Sequence, residues 1–398
     1  MNWTRHIIEN RKASVVSFFV GILLLICLAY HQSFGSFSAL IVLTLIFLDK
    51  LYLNHIGDQL FFENILQRNY FFVEETGEWI LPFQNGGMPI LGAKCKIFFD
   101  HVVAPLTGNE DSQHSSIEMT IPFSINKGKK KKYSIPFQTK MRGIAKIRRL
   151  EIHIESFIGL GGIILEYPLN IHQEAIVYPT PLPVKGLKEQ TTILKGEVSV
   201  PLSLYEDRIS PIGSRDYIST DTFNQIHWKA TARKQTLQTK LYEQMAEKGW
   251  MIALNISDGY GITGNLEKLI SYITEFAYFA YRNRTPYSLC VNIRTFGQTP
   301  FFNIPLGEGR THLQNVLEGL ATINSEFISF PYEKMLTYCV HQVRSQPLFL
   351  HGGTITFETN KLLSQIKRKG TTVYNLEVGN SEGYLMPFHL KKDGGVLS

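Results

Sequence analysis

The sequence predicts a multidomain α+β chain: an N-terminal transmembrane helical hairpin, a β-sandwich-like middle domain and a C-terminal doubly wound α/β domain. Three observations predict it. No residue from Ala13 to Leu48 carries a formal charge, apart from any protonation of His31. From about residue 70 to 206, short apolar runs are broken by Gly, Pro and Asn. From Trp250 onward, strand patterns and helix patterns alternate.

The bulk composition bounds what the chain can be. A length of 398 residues suits two to three domains. With 44% hydrophobic and only 19% charged residues, a largely disordered chain is excluded. The net charge of +6 is too small and too scattered to argue for nucleic acid, and no nucleic-acid partner is expected. Cys27, Cys95, Cys290 and Cys339 are spaced for neither a zinc site nor a dense disulfide framework. A reducing, cytosolic side is the simpler environment.

Within residues 1–60 two transmembrane helices are expected, at about 13–30 and 36–53. The first run, at 1.5 Å per residue, would reach about 27 Å, close to the hydrocarbon thickness of a bilayer. His31, Gln32, Ser33 and Gly35 supply a polar break between the two. Arg5, Arg11 and Lys12 precede the first span and Lys50 lies near the end of the second, while the connecting loop has no Lys or Arg. The positive-inside rule then places the N-terminus and the main soluble part in the cytoplasm, on a two-pass cell-membrane protein. A cleaved signal peptide fits less well, since its apolar region is shorter, about 7 to 15 residues.

Residues 70–206 read as the β-sandwich-like domain. In IRRLEIHIES, Ile147, Leu150, Ile152 and Ile154 alternate imperfectly with Arg149, Glu151, His153 and Glu155, as a half-solvated antiparallel strand would. Lys127 and Lys129 to Lys132 surround Gly128 at what reads as a lysine-rich hairpin tip. A solvated turn is the default reading there, with contact to anionic lipid or an acidic partner as the competing one.

Residues 250–398 read as the α/β domain. WMIALNI is apolar throughout, as a strand buried on both faces must be. Leu266, Leu269, Ile270, Ile273, Phe276, Ala277 and Ala280 then recur at three- and four-residue steps, one face of a helix. YSLCVNI, PLFLH and TTVYNLEV continue as strands; HLQNVLEGLATI, YEKMLTYCVHQV and NKLLSQIKRKG as helices. In such folds ligands gather at the carboxyl ends of the strands. The first strand ends in Asn255, Ile256, Ser257, Asp258, Gly259. This resembles the Asp-x-Ser-x-Ser loop that holds magnesium in a von Willebrand factor A type domain, with Asn255 in place of the first Asp and Gly259 in place of the last Ser. Losing an anionic ligand and a hydroxyl weakens Mg²⁺, so no cofactor is expected, although Ser257 and Asp258 keep their oxygens. Gly307, Gly309 and Arg310 suggest an anion-binding helix start, for which a plain loop is the simpler reading.

Residues 207–249 join the two folded parts and are the densest run of mixed functional side chains. The stretch carries Arg215, Asp216, Tyr217, Asp221, Ile226, His227, Trp228, Thr231, Ala232, Arg233 and Glu243. It resembles the signature of the bacterial membrane proteins called the domain of unknown function 58 family, approximately Arg-Glu-Tyr-x-x-Gly-Asp-x-x-Arg-x-Ile-x-Trp-x-x-Thr-Ala-Arg and then a strand ending in Glu. Asp216 stands for the Glu, Thr220 for the usual glycine and Asn224 for the second arginine. Phe157, Gly159 and Leu160, the Val177 to Pro179 strand end and Gly307 to Leu313 add to the likeness.

The resemblance implies a von Willebrand factor A-like C-terminal domain. It also implies a membrane-anchored, non-enzymatic interaction or adaptor protein working with a MoxR-type AAA+ ATPase, with a transglutaminase-like membrane protein as a further partner and an envelope or secreted client. In that reading Ile226 and Trp228 pack, and Arg215 and Arg233 pair with Asp216, Asp221 or Glu243 to lock the join between domains. The alternative is a metal-assisted hydrolase using Asp216, Asp221 and His227, since carboxylate and imidazole suit as ligands and bases.

Overall fold

The charge-poor N-terminal run folds as two helices, Arg11–Ala29 and Ser33–His55, in a computed structural model of the chain. The structure describes residues 3–8, 11–106, 111–113, 116–159, 161–187, 206–219, 221–244, 249–259, 261–297, 299–342 and 348–389. It is a mixed α/β chain with several sheets, in two compact units, Met1–Pro179 and Thr180–Ser398. The expected strand-rich part ran on to 206; the first unit ends at Pro179, and Val184–Lys185 belongs to the C-terminal sheet.

In the first unit, Ser33–His55 is long and apolar enough to cross a membrane, and Ala13–Ala29 is a shorter apolar helix. Phe34, Phe37, Leu40 and Phe47 are exposed, while Ala39, Ile46, Asp49 and Leu53 are buried. Asp49 is covered because its carboxylate accepts from Ser156 Oγ at 2.6 Å and Phe157 N at 3.0 Å. Arg5 closes the carboxyl end of this helix, donating to Asn54 O, Ile56 O and Asp58 Oδ1. Cations belong there, where the last carbonyls lack helical partners. Arg5 sits on a strand, Thr4–Ile8, which pairs antiparallel with Gly162–Glu166.

Two sheets follow. One has eight strands, in the order Thr4–Ile8, Gly162–Glu166, Gly143–Glu155, Ile90–Phe99, Ser116–Ile125, Asp111–Gln113, with Gln173–Val177 attached at Gly143–Glu155 and Gln67–Phe71 paired in turn with Gln173–Val177. The other runs Leu60–Phe62, Thr76–Asn85, Lys130–Thr139, Val103–Pro105. Their apolar faces share one core. Trp79, Leu81 and Phe83 alternate inward on one strand, as do Cys95, Ile97 and Phe99 on another. Each such side chain stabilises the fold by about 2 kcal/mol when taken out of water. The imperfect alternation around Arg149 is a β-bulge: pairing with Ile90–Phe99 slips between Ile147 and Arg149, so Ile147 and Leu150 both face inward. The lysine-rich turn is not a hairpin tip. Its flanking strands, Ser116–Ile125 and Lys130–Thr139, pair with Ile90–Phe99 and Thr76–Asn85 respectively, and the turn crosses from one sheet to the other.

In the second unit a seven-stranded sheet runs Val184–Lys185, Gly383–Pro387, Thr372–Val378, Leu348–Gly353, Trp250–Asn255, Tyr287–Arg294, Phe301–Gly307. The four strands from Thr372–Val378 to Tyr287–Arg294 are parallel to one another, while Gly383–Pro387 and Phe301–Gly307 flank them antiparallel. Trp250–Asn255 is buried at every position, which explains its unbroken apolar run. Helices Leu266–Arg282, Gly309–Thr322, Tyr332–Gln342 and Phe357–Arg368 connect the strands. The first buries Leu269, Ile270, Ile273, Phe276, Ala277 and Ala280. Thr356 caps the last one, its side chain accepting from Thr359 N at 3.1 Å. Phe301–Gly307 is an antiparallel edge strand, where Pro305 costs no ladder hydrogen bond.

Candidate functional site

Two places gather the residues singled out in the sequence. In the first, Glu206–Asp216 and Gln238–Gln244 pair antiparallel, with register shifts on either side of Pro211. Between them lie a 3₁₀ turn, Phe223–Gln225, and a short helix, Trp228–Lys234. Arg215 grips Asp221 with both guanidinium nitrogens, at 2.7 and 2.5 Å. Ile218 N and Thr239 Oγ1 donate to the same carboxylate, at 3.1 and 2.9 Å. The Asp221 side chain is only 8% exposed. Arg215 and these donors hold its carboxyl down at about 2. Tyr217 braces the same turn, its hydroxyl donating to Asp221 O and its amide to Leu237 O.

Asp216 is held elsewhere, by Gln238 Nε2. His227 caps the short helix, Nδ1 accepting from Ala230 N at 3.3 Å. Asp216, Asp221 and His227 are thus each engaged separately, and no group of three or more His, Cys, Asp or Glu suited to a metal occurs among the described residues. Ile226 is buried and bridges to Thr239. Thr231 Oγ1 accepts from Gln238 N at 3.0 Å, tying helix to strand. The expected packing of Trp228 is corrected. Trp228, the first residue of its short helix, is 57% exposed and meets the ring of Phe223 edge to face at 5.5 Å. Arg215 makes the ion pair with Asp221, and Arg233 is exposed in the last turn of the helix, a favourable place for a cation; its expected pairing with Glu243 falls outside the described residues. Glu243 lies on the Gln238–Gln244 strand, with its side chain outside the described residues, as is Thr220.

The second place is the carboxyl end of the C-terminal sheet. Chain order places the switch point between Trp250–Asn255 and Leu348–Gly353, whose exits lead to opposite sides. There Asn255 Oδ1 accepts from Ser257 N at 3.1 Å, Ser257 Oγ at 2.7 Å and Asn292 Nδ2 at 3.0 Å. Its Nδ2 donates to Thr354 O and Thr354 Oγ1. Asn292 Oδ1 accepts from Ile256 N at 2.7 Å, and Thr354 Oγ1 donates to Ser257 O. Gly353 makes this closeness feasible: with φ of 109°, a Cβ there would lie 2.0 Å from Asn255 O. Asp258 is exposed on the turn beyond.

This donor set does not fit a magnesium ion. The network's oxygens are amides, hydroxyls and a carbonyl, with no carboxylate among them, and Asn255 Oδ1 already accepts three hydrogen bonds, so binding there would break the network. At the same end of the sheet stand exposed apolar side chains: Phe296 and Ile355 on the loops after Tyr287–Arg294 and Leu348–Gly353, Ile328 on the segment whose carbonyl accepts from Arg294 N, and Phe357 at the start of its helix. Asn292 and Thr354 were not evident in the sequence, because only strand order brings them beside Asn255. Gly307 and Gly309 have a local explanation: a Cβ on Gly307 would sit 2.5 Å from His312 Nδ1, and Gly309 opens its helix at φ of 86°.

A deeper polar group lies in the same sheet. His351 is fully buried, with Nδ1 2.5 Å from the Tyr332 hydroxyl, which in turn lies 3.2 Å from Ala253 O. Burial pushes its imidazole down to about 4.

The family described as Protein of unknown function DUF58 matches residues 213–374, from the hairpin through most of the C-terminal sheet. No curated protein matches the chain. Among solved structures, a non-cellulosomal cohesin from the hyperthermophilic archaeon Archaeoglobus fulgidus is similar at 12% identity and a TM-score of 0.19, over 28% of this chain and 86% of its own. The sporulation control protein Spo0M of Bacillus subtilis is similar at 13% identity and a TM-score of 0.18, over 34% of this chain and 54% of its own.

Proposed function

Residues 213–374 belong to the DUF58 family, and from that premise we propose that the chain is a membrane-anchored, non-enzymatic adaptor. Its partner in this reading is a MoxR-type AAA+ ATPase, with a transglutaminase-like membrane protein beside it and an envelope or secreted client. The C-terminal sheet is read as von Willebrand factor A-like, the two N-terminal sheets as a β-sandwich, and the paired helices as a two-pass anchor with both ends cytoplasmic. Arg5 at the carboxyl end of Ser33–His55 supports that orientation, since it gathers positive charge where the helix meets the folded unit.

The observation that carries the reading is the self-satisfied network around Asn255. A doubly wound sheet does its chemistry at this point. Here the polar atoms are spent on one another, and the surrounding loops offer Phe296, Ile328, Ile355 and Phe357 to solvent, surface of a kind that marks protein contacts. The hairpin of residues 213–243 is proposed as a structural join, held by the Arg215–Asp221 pair, with the exposed Phe223–Trp228 pair as a second contact point.

Co-expression of the tagged full chain with a MoxR-type AAA+ ATPase tests this. The ATPase should co-purify in at least one nucleotide state, and replacing Phe296 and Phe357 by Ser should reduce its recovery by about tenfold, as loss of two interface anchors would. Failure to co-purify in every nucleotide state would sink the proposal.

A further inference from the structure

The lysine-rich turn lies beside the end of the apolar helix, a placement the sequence does not reveal. Five of the six residues from Lys127 to Lys132 are lysines, and all five side chains are exposed. Buried Asn85 fastens this turn. Gly128 N donates to Asn85 O at 2.7 Å, and Asn85 N donates to Lys129 O at 3.0 Å. The next residue, Gly86, donates from N to Gln59 O at 2.9 Å, and Gln59 lies only four residues beyond His55, the last residue of the helix Ser33–His55. A second tie holds the same loop, since Tyr52 Oη donates to Pro89 O at 2.8 Å. The turn is therefore fixed near the point where the apolar helix ends.

Around that helix end the surface has the composition of a membrane interface. Phe157 packs on Tyr52 with ring centroids 4.8 Å apart, and Phe157, Ile158 and Leu91 are exposed there. Asp49 anchors the turn carrying Phe157, so these apolar side chains lie level with the last two turns of the helix. Among the described residues, the ion pair at the lysine turn is Lys130 to Glu63, at 3.7 Å. Five cations against one carboxylate, beside exposed aromatic and aliphatic side chains, complement an anionic headgroup layer.

We propose that Lys127 and Lys129 to Lys132 dock on anionic phospholipid headgroups of the leaflet nearest the carboxyl end of Ser33–His55. The contact fixes the first unit against the bilayer and sets its tilt. It rests on the reading of Ser33–His55 as a membrane span.

The test uses the full chain reconstituted in two kinds of vesicle, phosphatidylcholine alone and phosphatidylcholine with an equal amount of phosphatidylglycerol. Flotation is read first, and then the rate at which a water-soluble amine-acylating reagent modifies each lysine. Acylation of Lys127 and Lys129 to Lys132 should slow by about fivefold in the anionic vesicles and recover in high salt, while exposed Lys361 stays unchanged. Flotation with equal acylation in both vesicles overturns the headgroup contact alone. Failure to float in either overturns the membrane span as well. Slowing that appears only when a soluble acidic protein is added assigns the turn to a protein and overturns the proposal.

Discussion

Asp221 and His351 are held in opposite charge states, and each gives the fold its own acid sensitivity. Asp221 is kept ionised by Arg215, so its folded value of about 2 lies below that of an unfolded Asp. A carboxylate depressed in this way adds stability above the unfolded pKa, near 3.9, and loses it as the pH falls through about 2. An NMR titration of the Asp221 carboxyl should give a midpoint near 2, moving up toward the ordinary range in Arg215→Gln. A midpoint unchanged by that substitution would break the assignment. His351 behaves the other way round. It is kept neutral by burial, so below its unfolded pKa near 6.5 the unfolded chain takes up a proton that the folded chain refuses. Stability should therefore decline between about pH 6.5 and about 4 and draw no further loss from this group below that. The full effect is about 3 kcal/mol. Denaturant midpoints measured across this range on the wild type and His351→Gln should diverge, with the steeper decline in the wild type; parallel curves would show that the ring titrates elsewhere.

At the scale of elements, the meeting of Trp250–Asn255 with Leu348–Gly353 depends on one backbone position. Gly353→Ala asks an L residue to hold φ of 109° and drives a Cβ to 2.0 Å from Asn255 O. The expected loss is about 3 kcal/mol, seen as a lower denaturant midpoint with unchanged slope. A neutral result would mean that the two strand ends do not approach so closely. Elements with one dominant signal were legible in the sequence. WMIALNI is apolar because both its faces are covered, and the Leu266–Arg282 helix shows its buried face at every third or fourth residue. Elements whose signal is mixed were not. Phe301–Gly307 hides behind Pro305, and Thr4–Ile8 is a short strand whose partner lies about 160 residues away. The candidate site was half legible. Asn255 and Ser257 are near neighbours in sequence, whereas Asn292 and Thr354 reach them only through the strand order. Exposure of Trp228 was hidden too, since a tryptophan two residues after Ile226 reads as core until the direction of its helix is known.

Across the whole molecule, the two compact units divide the proposed work. The first carries the apolar helices and the lysine turn, and the second carries the sealed sheet end and its apolar rim. The account depends on that sealing, because neutral oxygens already committed to one another leave a surface that docks proteins without an ion. The most direct test is a manganese titration of the full chain in detergent, following the electron paramagnetic resonance signal of the free ion. The account predicts no saturable uptake that depends on Ser257 or Asp258. Stoichiometric uptake in the micromolar range, abolished by Ser257→Ala while the fold survives, would contradict it.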